Sequence, residues 1–139
     1  GIVVVQAALA RDRLGEFQAQ AAIAALHADA ESVEETDWRQ IVEWYDELLA
    51  LTDTPVVRLN RAVAVCEADG APSGLAALGE VDEGVPRRSA VAAYLHERNG
   101  AFQTAAQLYA EAALQAPSLP ERQHLTRQAA RINQLLRDR

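Results

Sequence analysis

Several residue types are missing or rare in this chain of 139 residues. It has no methionine, no lysine and one cysteine, Cys66. A single cysteine cannot form an internal disulfide bond and does not support a cysteine-based zinc site, so a reducing cytoplasm is the expected setting. Because the first residue is Gly1, we expect the sequence to be a piece of a longer protein.

Long apolar runs are also missing. No stretch approaches the roughly 20 apolar residues that a transmembrane helix needs. Residues 2–5 are apolar, but they lack the basic lead-in of a signal peptide. We therefore expect no contact with a membrane.

Charge is abundant but unevenly distributed. All 13 basic residues are arginine, and 20 acidic residues give a net charge of −7, which does not favour binding to DNA phosphates. Residues 1–83 hold 16 acidic residues and 5 arginines, whereas residues 84–139 hold 4 and 8. This polarity could steer a partner, or the charges could simply lie on solvated helix faces.

Apolar spacing and capping residues indicate helices almost throughout. Asp37 and Thr54 are suited to begin helices, and Ser118 with Glu121 forms a capping-box pattern. Gly70 and Asn99-Gly100 are typical of helix ends. The clearest apolar stripe comprises Trp38, Ile41, Val42, Tyr45, Leu48 and Leu49. Eight helices are predicted, over residues 2–13, 16–31, 37–51, 55–69, 72–79, 86–99, 101–115 and 119–137.

A repeated turn indicates stacked hairpins. Gly15-Glu16-Phe17 and Gly100-Ala101-Phe102 share a glycine followed by an aromatic residue, and Gly70-Ala71-Pro72 is a weaker copy. After Gly100, the small and aromatic positions match a tetratricopeptide repeat at Ala105, Tyr109, Ala112 and Pro117. Ser89 and Ala93 stand where the repeat has its tryptophan and glycine. The prediction is one all-α domain, 1–139, of antiparallel hairpins stacked as a degenerate, right-handed tetratricopeptide-like array.

The middle of the chain resembles a particular family. The motifs are Gln20-Ala21-Ala22-Ile23-Ala24 with His27, Thr36-Asp37-Trp38 with Tyr45-Asp46, and Pro55-Val56-Val57 with Leu59-Asn60-Arg61-Ala62-Val63-Ala64. Together they are similar to the C-terminal tetratricopeptide-like extension of bacterial extracytoplasmic-function sigma factors of the sigma-70 family. The resemblance covers about half of the chain, and residues 2–5 and 79–88 depart from it.

The resemblance implies a role in transcription initiation. The parent protein would direct RNA polymerase to selected promoters, and this domain would support or regulate that activity. Its expected partners are the upstream sigma regions, RNA polymerase or a regulatory protein, and DNA would be contacted only through the upstream regions. A free-standing repeat adapter that acts outside transcription is the alternative. The apolar first predicted helix could also pair with a second copy of the chain.

Candidate interaction residues lie on the first helix of each predicted hairpin, because those helices line the groove of such arrays. They are Val57, Asn60, Arg61, Glu67, Arg87, Tyr94 and Glu97. The asparagine would bind backbone amides and the arginine a carboxylate. The alternative is that Asn60 and Arg61 bind loop carbonyl groups between hairpins.

The aromatic residues are better suited to packing than to binding. Trp38 and Tyr45 lie on an apolar stripe, although either could be a binding hot spot. Together with Gly100, Ala105 and Tyr109 they form the expected packing signature. We expect Trp38→Ala to cost about 3–5 kcal/mol of stability.

No pattern in the sequence indicates an enzyme. His27, His96 and His124 are far apart and form no metal-binding pair, and Cys66 has no neighbouring base to activate it. The acidic residues Asp29, Glu31, Glu34, Glu35 and Asp37 could attract a cation or a basic partner, but a solvated loop is the simpler interpretation. We expect no catalytic, cofactor-binding or metal-binding residues.

Overall fold

The computed structural model describes residues 37–139, and these residues form six helices with no strand among them. The prediction of an all-α fold is confirmed for this part of the chain. The predicted helices 2–13 and 16–31 lie outside the described residues, so the count of eight stays a prediction. The described helices are α1 Trp38–Leu51, α2 Pro55–Asp69, α3 Ala71–Leu78, α4 Arg88–Arg98, α5 Phe102–Gln115 and α6 Leu119–Arg137.

Side chains at three predicted positions cap helix N-termini. Asp37 Oδ1 accepts a hydrogen bond from the backbone N–H of residue 40 at 3.1 Å, and Thr54 Oγ1 accepts one from that of residue 57 at 3.3 Å. Ser118 Oγ accepts one from the Glu121 N–H at 3.3 Å. The predicted capping box is only half formed, because the Glu121 carboxylate pairs with Arg87 instead of returning to Ser118.

The predicted start of α4 at residue 86 is wrong by two residues. Arg87 has a φ of 71°, in the left-handed region, and it precedes the first helical residue, Arg88. The Arg88 guanidinium donates to the Val81 carbonyl (Nε, 2.8 Å) and to the Leu78 carbonyl (Nη2, 3.3 Å). These bonds hold the first residue of α4 against the end of α3 and the connection that follows it. The chain therefore turns before Arg88, and α4 does not begin at residue 86.

Two glycines end helices as predicted. Gly70, between α2 and α3, has a φ of 101°, and Gly100, between α4 and α5, has a φ of 80°. L-residues rarely adopt this conformation, so glycine permits a very short connection between the helices. α2 and α3 are separated by Gly70 alone.

Three apolar clusters form the core of the described part. The first joins α1 to α2 through Ile41, Trp44, Tyr45, Leu48 and Val57. The second joins α4, α5 and α6, and the third joins α2, α3 and α4 around Leu59, Leu78 and Leu95. Trp44, which the sequence analysis left out of its stripe, is buried, whereas Trp38 is only half-buried against the first cluster.

Helices that follow one another in the chain pack against each other, and α2 also contacts α4. Small residues permit close contacts. A Cβ built on Gly74 of α3 would lie 2.7 Å from the Cβ of Cys66 on α2. Ala93 and Ala105 are fully buried in the cluster that joins α4, α5 and α6. None of the described helices is both long enough and apolar enough to cross a membrane.

Candidate functional site

A groove of about 390 Å³ lies where α2, α4 and the α5–α6 connection meet. Most of its lining is apolar, from Val56, Leu59, Pro86, Ala90, Val91, Ala112, Ala116, Pro117 and Leu125. Its polar lining residues are Asn60, Arg87, Gln115 and Glu121. A mostly apolar concavity with a few polar groups is typical of a surface that binds another molecule.

One ion pair lies in the groove wall. Arg87 Nε donates to Glu121 Oε1 at 3.1 Å, joining the start of α4 to the first turn of α6. The arginine side chain is 67% exposed and the glutamate side chain 27%. The left-handed backbone of Arg87 fixes where its side chain leaves the chain, so the guanidinium is presented beside the groove from a strained position.

Exposed apolar side chains are found in this groove and close to its lining residues along the chain. Val56, which lines it, is 62% exposed. Leu114 (81%) and Leu119 (64%) each lie within two residues of lining residues in the α5–α6 connection. Exposed apolar side chains that form a contiguous patch are a feature of protein-interaction surfaces.

The structure brings two of the seven predicted groove residues, Asn60 and Arg87, into this groove. Val57 instead packs into the α1–α2 core. Arg61 donates from Nε to Asp46 Oδ1 of α1 at 2.7 Å. Within residues 37–139, Arg61 binds no loop carbonyl, whereas Arg88 donates to the carbonyls of Leu78 and Val81.

Glu67 and Tyr94 belong to a cluster between α2 and α4. The Tyr94 hydroxyl donates to Glu67 Oε1, and Arg98 Nη2 lies 3.3 Å from Glu67 Oε2. The Glu67 side chain is only 8% exposed, so this carboxylate is shielded from water. Burial, together with the hydrogen bond to this carboxylate, raises the pKa of Tyr94 well above its usual value. The cluster links two helices and does not reach the groove.

Glu97 lies in a similar cluster that joins α4, α5 and α6. It accepts a hydrogen bond from the Tyr109 hydroxyl at 3.4 Å and one from Arg131 Nη2 at 2.8 Å. Burial, followed by the negative charge of Glu97, raises the pKa of Tyr109 to about 12. As with Glu67, this carboxylate is used within the fold.

The predicted packing residues lie in or against the core, apart from the glycine. Tyr45, Ala105 and Tyr109 are buried, and Trp38 is half-buried. Gly100 is the exposed turn residue between α4 and α5.

No group of three or more histidine, cysteine or acidic side chains in residues 37–139 is placed to hold a metal ion. His96 lies on α4 and His124 on α6. Cys66 is buried in the third cluster, and burial raises the pKa of its thiol. His27 and the acidic residues Asp29 to Glu35 lie outside the described residues.

Most of the residues that line the groove were not predicted from the sequence. The end of α5 contributes Gln115 and the α5–α6 connection contributes Ala116 and Pro117, of which only Pro117 was considered, as a helix terminator. Val56 carries the one usable signal, because an apolar residue in the first turn of a helix and off its buried stripe must face solvent or a partner.

Comparison with known proteins gives one informative similarity. The chain is 45% identical over 82 residues to an uncharacterized protein of Rhizobium meliloti (strain 1021). The match covers 59% of this chain but only 19% of the relative, so the relative is several times longer than the matched segment. No protein-family model matches the chain, and no solved structure matches it.

Proposed function

We propose that this chain is a protein-interaction domain of tetratricopeptide type, forming the C-terminal regulatory part of an extracytoplasmic-function sigma factor. In this proposal the domain contacts the upstream sigma regions, RNA polymerase or a regulatory protein in the cytoplasm, and it performs no catalysis. The observation that carries the interaction role is the apolar groove between α2, α4 and the α5–α6 connection, whose lining includes the exposed Val56.

The order of packing supports the tetratricopeptide-like array. In such arrays the first helix of a hairpin contacts its own second helix and the first helix of the next hairpin. Here α2 packs against α3 and contacts α4, while α4 packs against α5, which packs against α6. Gly70 and Gly100, both with positive φ, occupy equivalent turns in the two hairpins α2–α3 and α4–α5.

Contacts between the resemblance motifs support the sigma-factor assignment. The motif around Tyr45-Asp46 and the motif around Asn60-Arg61 are brought together by the Asp46–Arg61 ion pair. Tyr45 and Val57, one from each motif, share a core cluster. These two motifs, both within the described residues, therefore pack together. The greater length of the Rhizobium relative is consistent with a domain of this size being part of a larger protein.

The test is transcription by the parent protein. Residues 1–139 are deleted from the full-length parent, and promoter-specific transcription is measured with purified RNA polymerase. We expect altered output or altered regulation, because the domain would contact the initiation machinery. A full-length variant with Val56→Asp places a charge in the groove, and Leu135→Asp, on α6 and outside the groove lining, is the matched control.

Two results would reject the sigma-factor assignment. One is transcription that is unchanged in both output and regulation after the deletion. The other is a parent gene without sigma regions upstream of residue 1, which would instead favour a free-standing adapter.

A further inference from the structure

The groove has one charged group with unused hydrogen-bonding capacity. Arg87 is the one cation among the described residues that line it. Its Nε donates to Glu121, but its two terminal nitrogens donate no hydrogen bond within residues 37–139. A guanidinium can bind a carboxylate through two parallel hydrogen bonds, so the terminal nitrogens of Arg87 can donate to a second carboxylate.

Glu121 has less capacity left for a ligand. Its side chain is less exposed than that of Arg87, at 27% against 67%. It also lies in the first turn of α6, where the partial positive charge of the helix N-terminus stabilises a carboxylate. A ligand at this position therefore finds available hydrogen-bond donors on Arg87 rather than an available acceptor on Glu121.

The guanidinium adjoins apolar surface. Ala90 follows Arg87 on α4, and Val56 faces the same groove from α2. Asn60, also in the lining, is exposed and can bind backbone amide groups of an extended chain. A ligand that fits this arrangement combines an apolar side chain with a neighbouring carboxylate.

We propose that the groove binds a peptide segment of a partner protein in which an apolar side chain stands next to an aspartate or glutamate. The inference rests on the proposed interaction function and names the chemistry of the partner. The apolar side chain covers the floor around Val56 and Val91, and the carboxylate pairs with the terminal nitrogens of Arg87. Glu121 competes for the same guanidinium and so limits the affinity.

The probe is a library of six-residue peptides blocked at both ends. Leucine stands at the third position, and aspartate, asparagine or lysine stands at the fourth. Binding to the full chain is measured by retention on the immobilised protein and then by fluorescence anisotropy of retained peptides. We expect the aspartate peptides to bind up to about fivefold more tightly than the asparagine peptides, because one solvent-exposed ion pair contributes at most about 1 kcal/mol.

Four variants separate the roles of the charged groups. Arg87→Gln removes the charge, and Arg87→Gly removes the side chain while suiting the left-handed backbone, so a folding defect cannot explain its result. Both should abolish the preference for aspartate. Glu121→Gln should strengthen aspartate binding, because it removes the competitor. Arg122→Gln, an exposed arginine outside the groove lining, is the control with the same charge change and should leave the preference intact.

Several results would overturn the proposal: no binding of any library, equal or tighter binding of the asparagine or lysine peptides, or a preference that persists in both Arg87 variants. Sedimentation showing a dimer that Val56→Asp dissociates would assign the groove to a second copy instead. If no peptide binds but deletion still alters transcription, this inference fails and the proposed function stands. If the aspartate preference is present but deletion has no effect, the groove inference stands and the sigma-factor assignment fails.

Discussion

The close approach of α2 and α3 makes Gly74→Ala an informative substitution. In an ordinary helix interior, alanine is more stable than glycine by about 1 kcal/mol. Here the new Cβ would lie 2.7 Å from the Cβ of Cys66 and 3.1 Å from the carbonyl oxygen of Ala62. Carbon atoms in favourable contact are about 3.5–4.0 Å apart, so one helix must move by roughly 1 Å.

The clash cannot be relieved by a side-chain rotation, because the opposing atoms are a Cβ and backbone atoms. Moving α3 outward would loosen the third core cluster, which contains Leu59, Leu78 and Leu95. Overpacking of this kind costs about 1–3 kcal/mol. Subtracting the gain in helix propensity leaves a net loss of up to about 2 kcal/mol, which corresponds to a decrease in Tm of up to roughly 10 °C.

Circular dichroism melts and urea titrations measure the change directly. Ser73→Ala, at an exposed position of the same helix, is the control and should change stability by less than about 0.5 kcal/mol. The rate of thiol labelling at Cys66 is a second assay, because Cys66 is only 3% exposed and burial raises the pKa of its thiol. If α3 moves away from α2 in the Gly74→Ala variant, a disulfide reagent should label Cys66 faster than in wild type. A Gly74→Ala protein more stable than wild type by the full gain of about 1 kcal/mol expected at an unhindered helix position would refute the close packing of these helices.

Three further predictions concern other parts of the fold. Because the folded-state pKa of Tyr109 is about 12, above its ordinary value of 10.0, its contribution to stability is intact below pH 10 and is lost as pH rises through 12. The chain has no lysine to titrate in this range, so Tyr109→Phe should reduce the loss of unfolding free energy between pH 10 and 12. The same pH dependence in wild type and variant would contradict the raised pKa of Tyr109. Gly100→Ala should cost about 1 kcal/mol through its φ of 80° alone, since no atom lies within 4 Å of the added Cβ; Gly84→Ala, equally open, is the control, and equal melts would exclude backbone strain. Trp44→Ala should cost about 3–5 kcal/mol and Trp38→Ala less, because only Trp44 is buried; the reverse order in urea titrations would reject this placement.

Local signals predicted most of the described helices. The caps at Asp37, Thr54 and Ser118 and the stops at Gly70 and Gly100 depend on hydrogen bonds and backbone angles within a few residues. Such features are visible in the sequence because the interacting atoms are close along the chain. The start of α4 was missed because it depends on Arg88 reaching carbonyl groups seven and ten residues earlier.

The candidate site was predicted much less well. Helical periodicity placed Glu67, Tyr94 and Glu97 on plausible faces, but it could not show that these side chains would be used by partners within the fold. Arg61 was expected to bind the carboxylate of a ligand or a loop carbonyl, whereas it pairs with Asp46 of α1, 15 residues away. Each of these contacts depends on how two helices are rotated against each other, and spacing within one helix does not specify that rotation.

By itself, the sequence determined that residues 37–139 form amphipathic helices with short connections, because helix propensity, capping and glycine conformations act over short distances. Only the tertiary structure decided which side chains meet across helices. It assigned Glu67 and Glu97 to internal clusters, buried Trp44 in place of Trp38, and formed a groove from α2, α4 and the α5–α6 connection. The physical reason is that the hydrogen bonds named here join residues 12 to 34 positions apart, and packing of whole helices, not local preference, determines them.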